Sequence, residues 1–324
     1  MQSTIIKNIL IKIISIALLT AASMSQAQSL AYITNQGDNS VSVINLESNQ
    51  VIKTIKVQKG PVGVAIASKL QRIFISNVDA ESISVINATN QKLMQNIKLK
   101  GSPVGITVSP DEKTLYVADW VSDRIMLINT NNMKLMSEIK SGKAPAGMVL
   151  SPDGKFLYIA NRDSNDISII DTKTNQTSMR VPVEKHPFGI AISNNGKELY
   201  VANVLHNSVS IINTSNFKKE TLKVGEHPYC ITTSKDGKLL YVTNTQDDNV
   251  SIINLLDKRI IKTVNVGSIP EGISTNKKNG HIYVANWGSN EVSMIDGTKH
   301  TLIKQIKTGE KSRAFGSFIL ENNR

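Results

Sequence analysis

One tetrapeptide recurs seven times at nearly constant spacing along this 324-residue chain. The copies YITN, FISN, YVAD, YIAN, YVAN, YVTN and YVAN begin at Tyr32, Phe74, Tyr116, Tyr158, Tyr200, Tyr241 and Tyr283. Successive copies lie 42 residues apart, except for a step of 41 residues after Tyr200. A period of about 40 residues indicates one supersecondary unit copied many times. Function must therefore be sought where the copies differ from one another.

Residues 145–180 show what one copy encodes. The segment contains four short runs rich in apolar or β-branched residues, namely Met148 to Leu150, Phe156 to Ala160, Asp166 to Asp171 and Thr177 to Arg180. Pro152, Asp153 and Gly154 separate the first two runs and form a tight-turn sequence. Polar stretches separate the others, so each copy reads as a four-stranded antiparallel meander.

Small sheets of this kind need neighbours to cover both faces, and a radial arrangement of them is a β-propeller. The sequence therefore predicts an all-β, seven-bladed propeller with four antiparallel strands per blade. The repeat begins inside a unit, at a second-strand sequence, and ends with a first-strand sequence from Ala314 to Leu320. We expect the C-terminal strand to complete the N-terminal blade, a one-plus-three closure that removes a free sheet edge.

The first residues have the pattern of a secretory leader. Lys7 and Lys12 precede an apolar run from Ile13 to Ala22, and Ser25-Gln26-Ala27 supplies small residues for cleavage. We predict a signal peptide over residues 1–27 and one propeller domain over residues 28–324. The run is short for a bilayer span, which disfavours an uncleaved anchor. The expected location is the periplasm, with the cell surface and secretion left open.

Charge and cysteine content limit the classes of partner. Without Lys7 and Lys12, 35 basic and 26 acidic residues give a formal charge of +9. A basic exported protein attracts anionic polymers such as nucleic acid, although the lysines are dispersed along the chain. Cys230 is the single cysteine, so a monomer forms no disulfide and depends on its core for stability.

The YVAN/YVTN tetrapeptides, the SVSVIN-type strands and the G-x-x-P-x-G motif together resemble the YVTN-repeat β-propeller family over residues 30–320. A leader followed by one bare ring is similar to the periplasmic YncE-like members. The resemblance implies an exported binding protein, with single-stranded DNA as a ligand of some members. Related rings include lactonases and subunits of quinoprotein redox systems, so the resemblance transfers the fold more securely than the function.

The copies diverge at two sets of loop positions that should share one face of the ring. The first-strand motif is uniform in three copies and then changes to HPFG, HPYC, IPEG and KSRA. The residue after the tetrapeptide varies too, and both tryptophans occur there. The predicted ligand-binding residues are Trp120, Arg162, Phe188, Tyr229, Glu271, Trp287, Lys311 and Arg313. Aromatic rings and cations suit single-stranded nucleic acid, and exposed aromatics also suit a protein partner. The alternative is that each tryptophan packs over its neighbouring blade.

Three histidines and the cysteine allow a second interpretation. His186 and His227 occupy equivalent positions in adjacent copies, His206 lies in the intervening loop, and Cys230 is close to His227. Imidazole and thiolate ligands bind Zn or Cu, so these residues are a candidate metal site. Separate loop histidines and a small buried thiol are the alternative.

No enzyme motif is present. The chain has no C-x-x-C-H, G-x-S-x-G, P-loop or H-E-x-x-H sequence. Glu271 is the only carboxylate in the first-strand motifs, and Asp79, Asp123 and Asp163 lie in turn-forming positions. We therefore expect a monomeric binding or scaffold propeller without a cofactor, which engages an anionic ligand or a protein. The alternatives are a metallochaperone, a lactonase-like hydrolase and a redox accessory subunit.

Overall fold

The computed structural model describes residues 29–321. The predicted signal peptide lies outside the described residues. Within them the structure is built from 28 strands and one 3-10 turn, Val204–His206. No helix of the described part is long and apolar enough to cross a membrane.

The strands fall into four classes by their distance from the ring axis. The innermost strands are β4 (Pro61–Ala67), β8 (Pro103–Val108), β12 (Pro145–Leu150), β16 (Pro187–Ile192), β20 (Pro228–Thr233), β24 (Pro270–Thr275) and β28 (Ile319–Leu320). The second strands are β1 (Leu30–Asn35), β5 (Arg72–Asn77), β9 (Thr114–Asp119), β13 (Phe156–Asn161), β17 (Glu198–Asn203), β21 (Leu239–Asn244) and β25 (Ile282–Asn286). The third strands are β2 (Ser40–Asn45), β6 (Ser82–Asn87), β10 (Arg124–Asn129), β14 (Asp166–Asp171), β18 (Ser208–Asn213), β22 (Asn249–Asn254) and β26 (Glu291–Ile295). The outer strands are β3 (Gln50–Lys56), β7 (Lys92–Lys98), β11 (Leu135–Lys140), β15 (Gln176–Pro182), β19 (Lys219–Lys223), β23 (Arg259–Asn265) and β27 (Leu302–Lys307).

These strands form seven separate four-stranded antiparallel sheets, and the predicted seven-bladed propeller is confirmed. Six sheets consist of four strands consecutive in the chain. The seventh has the order β28-β1-β2-β3, so the C-terminal strand lies beside the N-terminal one. The ring is thereby closed by hydrogen bonds between the two ends of the described chain.

The closing segment is irregular. Ser312 pairs with Asn35, and Ile319 pairs with Ala31. Residues 312–319 of the closing segment therefore lie along residues 35 to 31 of β1. In the next blade, residues 61–66 of β4 span the equivalent stretch, from 77 back to 73. The closing segment therefore has two residues more than β4 for the same span.

The extra length lets the closing segment leave its own blade. The Phe315 N–H donates to the carbonyl of Val62 (3.1 Å), and the Val64 N–H donates to the carbonyl of Phe315 (2.7 Å). Both partners belong to β4 of the neighbouring blade. This excursion places Phe315 over the central channel.

The repeated tetrapeptide serves the scaffold. Its tyrosines are buried between blades, and its final Asn or Asp is fully buried in all seven copies. Asn161 shows the full set of bonds, which Asn35 shares: its Nδ2 donates to Asp166 (2.7 Å) and Ser168 (2.8 Å), while its Oδ1 accepts from the Gly142 N–H (3.1 Å). The side chain thus joins the second strand, the third strand and the loop from the preceding blade.

Close approach between blades explains the glycine of the first-strand motif. A Cβ on Gly105 would overlap the carbonyl oxygen of Ala146 in the next blade. Gly63, Gly147, Gly189 and Gly272 meet the same obstacle. A backbone approach of this kind excludes larger side chains, so the motif is required by packing rather than by a ligand.

Candidate functional site

Two sets of loops meet on one face of the ring, which we call the top face. It carries the loops that join outer to inner strands and second to third strands, which are four residues long except for the connection 308–318 between β27 and β28. In every blade the residue after the tetrapeptide donates its N–H to a backbone carbonyl at 2.9–3.1 Å. That carbonyl belongs to the loop that joins the outer strand of the preceding blade to the inner strand. The donors are Gln36, Val78, Trp120, Arg162, Val204, Thr245 and Trp287. The backbone therefore holds the two divergent sets of positions side by side.

A basin of about 340 Å³ opens at the centre of the top face. Phe188, Tyr229 and Phe315 form its floor, and Trp120 lies on its wall. Arg313 also reaches the basin. The rest of the lining is the valine side chains, Ser102 and Gln36, so the basin is mainly apolar.

The floor is a cluster of touching aromatic rings. Phe188 and Tyr229 are stacked with centroids 4.1 Å apart, and Phe315 meets Phe188 edge-on at 5.1 Å. Trp120 contacts Phe188 edge-on at 6.1 Å. Burial raises the pKa of the Tyr229 hydroxyl, which therefore stays protonated. The floor rings are therefore packed mainly against one another.

The same aromatic cluster divides the central channel. Phe188 and Phe315 line both the basin and a larger cavity of about 580 Å³ below it. The lower cavity is lined by the inner strands, and its far end is formed by residues such as Ser68, Asn194 and Lys277. The channel is thus divided by these rings into two compartments.

An ion pair occupies one side of the basin. Arg313 binds both carboxylate oxygens of Glu271: its Nη2 donates at 2.8 Å and its Nε donates to the second oxygen. Its Nη1 donates to Gln36 at 3.0 Å. Burial raises the pKa of Glu271, and the Arg313 charge opposes that rise. The pair is nearly neutral as a unit, so it presents little net charge to a ligand.

The two tryptophans lie in different surroundings. Arg162 lies 5.1 Å above the Trp120 ring and pairs with Asp163 at 3.0 Å. Lys311 lies 5.1 Å from the Trp287 ring, whose Nε1 donates to Gln36 at 3.3 Å. Trp120 therefore belongs to the basin wall, whereas Trp287 lies beside the basin and reaches it through Gln36.

The structure thus places the eight predicted ligand-binding residues on the top face. Five of them line or flank the basin, namely Trp120, Arg162, Phe188, Tyr229 and Arg313. Glu271 is joined to the basin through Arg313, and Trp287 with Lys311 lie to the side. Sequence reasoning missed Phe315 and the exposed Val121. The aromatic residue in the seventh first strand was the available signal, but the two-residue excursion is not visible in the repeat.

The candidate metal ligands do not come together. Among residues 29–321 no group of three or more His, Cys, Asp and Glu side chains is placed to hold a metal ion. Cys230 is buried in the channel wall at the glycine position of β20, and burial raises the pKa of its thiol. Nδ1 of His206 forms a hydrogen bond with the hydroxyl of Ser208 at 2.9 Å. His186 and His227 have left-handed backbone conformations. The backbone N–H of His186 donates to Oδ1 of Asn165, and that of His227 donates to Oδ1 of Asn207. The sequence-based metal site is therefore not formed by the described residues.

The top-face acids are mostly engaged in holding loops. Asp123 accepts from the Ala144 N–H at 2.8 Å, Asp248 from Ile269 at 2.8 Å and Asp38 from Glu310 at 2.7 Å. Asp163 pairs with Arg162, and Asp79 lies against Gly60. The contact of Asp123 agrees with the turn-forming role expected for it, whereas the contact of Asp163 is an ion pair with its neighbour Arg162.

The charge of the top face differs from that of the whole chain. The loops of this face contain seven basic residues, Lys59, Lys100, Lys143, Arg162, Lys185, Lys311 and Arg313. They contain ten acidic residues, Asp38, Asp79, Glu81, Asp123, Asp163, Glu184, Glu226, Asp247, Asp248 and Glu310. The loops themselves therefore carry an excess of acidic residues, and lysines at the ends of outer strands, such as Lys56 and Lys98, donate to loop carbonyls at the edge of this face.

A family model described as "Lactonase, 7-bladed beta-propeller" matches residues 25–189 and 174–259. The chain belongs to this propeller family. No curated protein matches it. Two solved structures are similar to it in fold, and both likenesses are too low in sequence identity to transfer a function.

The first is the hydrazine synthase of Kuenenia stuttgartiensis, with a TM-score of 0.76 and 21% identity over 82% of this chain and 91% of that chain. The second is a functionally unknown protein from Desulfotomaculum acetoxidans, with a TM-score of 0.74 and 15% identity over 89% and 99%.

Proposed function

We propose that the protein is a non-catalytic binding propeller that docks a protein partner on its top face and seats one apolar side chain of that partner in the basin. The observation that carries the proposal is the basin itself: an aromatic floor, aliphatic walls and a cation already neutralised by Glu271. Apolar pockets of a few hundred cubic ångströms with few polar groups are typical binding sites.

Exposed apolar side chains beside the basin support a protein partner. Val121, next to Trp120, is 71% exposed, and Leu205 on a nearby top-face loop is 49% exposed. Large aliphatic groups gain little from water or phosphate but stabilise a complex when a partner covers them. An aromatic anchor in a central pocket, surrounded by such contacts, is a common arrangement of interface hot spots.

The charge distribution distinguishes this partner from an anionic ligand. Acidic residues outnumber basic ones in the top-face loops, and Arg313 is bound to Glu271. Like charge on that face would repel a phosphate backbone at long range. Single-stranded DNA is therefore the weaker proposal for the top face, although Trp120 and Arg162 offer it one stacking platform.

The basin can be tested with a defined probe and one native reporter. The chain has two tryptophans, so Trp287→Phe leaves Trp120 as the sole tryptophan. A blocked pentapeptide with a central phenylalanine between glycines should change Trp120 emission saturably, with little dependence on salt. The same peptide with a central aspartate should have no effect.

A matched pair of surface variants locates the effect. Val121→Asp should abolish the response, whereas Leu256→Asp, at a 90% exposed position in an outer hairpin, should leave it unchanged. A response that survives Val121→Asp would count against the basin. Binding of a single-stranded oligonucleotide that falls steeply with salt, and that needs Trp120 and Arg162, would favour the anionic ligand instead.

A lactonase-like hydrolase is the second candidate, because the family model carries that description. Glu271 is the carboxylate at the basin, and its pairing with Arg313 leaves it without a free base function. We expect no hydrolysis of simple aliphatic lactones above the buffer rate. Turnover that disappears in Glu271→Gln, with the fold retained, would establish the hydrolase.

A further inference from the structure

The outer strands concentrate basic residues. Across all seven they contain twelve basic and two acidic residues. The basic-aliphatic belt, our name for β23, β27, β3 and β7, contains eight of the basic residues and neither acid. These strands belong to four consecutive blades, with β27 touching β3 and β3 touching β7. The belt is therefore a sector of the rim that spans four consecutive blades and stays net positive, although Lys98, Arg259 and Lys307 are paired with acids outside these strands.

Exposed aliphatic side chains occupy the same sector. Ten of the thirteen exposed large hydrophobic residues in the described chain lie on outer strands, and seven of these lie on the belt. They include Ile52, Met94, Ile261 and Ile303, which are 42–48% exposed. Each of these four sits at a β-bulge, where one extra residue interrupts the pairing with the third strand. The bulge turns an aliphatic side chain outward at the same height in every belt blade.

Protection of sheet edges explains only part of this pattern. Lysines and bulges on outer strands prevent edge-to-edge pairing between molecules. That purpose would be served best by polar residues at the bulges, yet the belt has Ile, Met, Ile and Ile there. Aliphatic groups flanked by lysines are instead the composition of interfacial membrane-binding surfaces, where the lysine heads reach the lipid phosphates.

We propose that the basic-aliphatic belt binds the surface of an anionic lipid bilayer. The aliphatic bulge residues enter the headgroup region and the lysines contact lipid phosphates. The belt strands contain no aromatic residue, so they provide no stacking platform for a single-stranded nucleic acid. A polyphosphate chain would also gain nothing from the aliphatic residues. Edge-on attachment leaves the top face free, so this site is independent of the proposed partner in the basin.

Three lysines are suitable for the test because they are exposed and in no ion pair within residues 29–321: Lys92, Lys262 and Lys304. Sedimentation with vesicles of equal parts phosphatidylcholine and phosphatidylglycerol measures the affinity. Pure phosphatidylcholine vesicles should bind far less. Changing all three lysines to Gln should weaken binding by about a hundredfold, at about fivefold per lysine.

The control removes the same charge elsewhere. Lys113, Lys155 and Lys238 lie in hairpins between innermost and second strands, away from the belt, and their side chains are 74–80% exposed. Changing these three to Gln should weaken vesicle binding only slightly. Equal losses of vesicle affinity in the two triple variants would show that binding depends on the overall charge of the protein. That result would overturn the proposal that the belt is the binding surface.

The aliphatic contribution has its own test. Ile261→Ser with Ile303→Ser should reduce vesicle binding several-fold and make the remainder more sensitive to salt. Met136→Ser with Met179→Ser, at exposed positions on outer strands β11 and β15 outside the belt, should not. Absence of vesicle binding overturns the proposal. So does binding of double-stranded DNA that depends on the belt lysines but not on Ile261 and Ile303, because the partner would then be a polyanion.

Discussion

Removal of one partner of the Glu271–Arg313 pair should destabilise the ring strongly. Arg313→Met preserves side-chain length and removes the charge, leaving a carboxylate whose side chain is only 8% exposed without a cation. Breaking a buried pair in this way typically costs about 3–5 kcal/mol. The Arg313 side chain keeps 17% of its surface exposed, so partial hydration of the site places our expectation near the lower value, about 3 kcal/mol.

The double variant separates the pair from its single members. Changing Glu271 and Arg313 to Met together removes the stranded charge, and well-packed apolar replacements of buried pairs are often near neutral in stability. The double variant should therefore unfold at higher urea concentration than Arg313→Met alone. Arg259→Met is the control: its partner Asp257 lies 3.2 Å away, but the arginine side chain is 73% exposed, so the loss should be below about 1 kcal/mol.

The pH dependence of Arg313→Met provides a second measurement. Burial raises the pKa of Glu271, and in the variant no guanidinium opposes the rise. A folded-state pKa above the unfolded value means that the folded state binds more protons between the two values, so stability rises as the pH falls through the folded-state pKa toward the unfolded one. Urea unfolding followed by circular dichroism at neutral and mildly acidic pH measures this change. A single variant as stable as the parent, or a double variant less stable than both singles, would refute the reasoning.

Three further predictions concern the scaffold and the thiol. Gly105→Ala should lower the unfolding midpoint markedly, because its Cβ would overlap the Ala146 carbonyl oxygen; parent-like stability would contradict this packing. Asn161→Ala should lower the free energy of unfolding in urea by about 1–3 kcal/mol, since it leaves the Gly142 N–H without its acceptor. An unchanged free energy would contradict a stabilising role for the Asn161 hydrogen bonds. Cys230 should react with a thiol reagent only after denaturation, because burial raises the pKa of its thiol; fast native labelling would show an open channel wall.

Much of the fold could be predicted because it depends on repetition. The tetrapeptide spacing fixes one strand per copy, and turn residues such as Pro152 and Gly154 separate the rest. Burial of Tyr158 and Asn161 then follows from their place in the repeat. Local sequence pattern and tertiary packing agree in each blade, and a fold with such agreement can be predicted from its sequence.

The sequence could predict which face of the ring carries the candidate site, but not how the side chains of the site contact one another. Divergent positions such as Trp120 and Phe188 were found by comparing copies, and they do lie together at the basin. The pairing of Glu271 with Arg313 joins residues 42 apart, and no local signal encodes it. The histidines and Cys230 illustrate the opposite error, because equivalent repeat positions need not bring side chains toward one point.

The sequence by itself determined the number of blades, the class of each strand and the set of loops that share the top face, because a period and its hydrophobic pattern are local properties. Only the tertiary structure decided how the ring is used. The two extra residues of the closing segment place Phe315 over the channel, and Arg313 is neutralised by a residue of the adjacent blade. The bulges on four neighbouring outer strands align dispersed lysines and aliphatic residues into one belt. These features depend on contacts between distant segments, where the balance of burial, charge and backbone pairing is settled only when the ring closes.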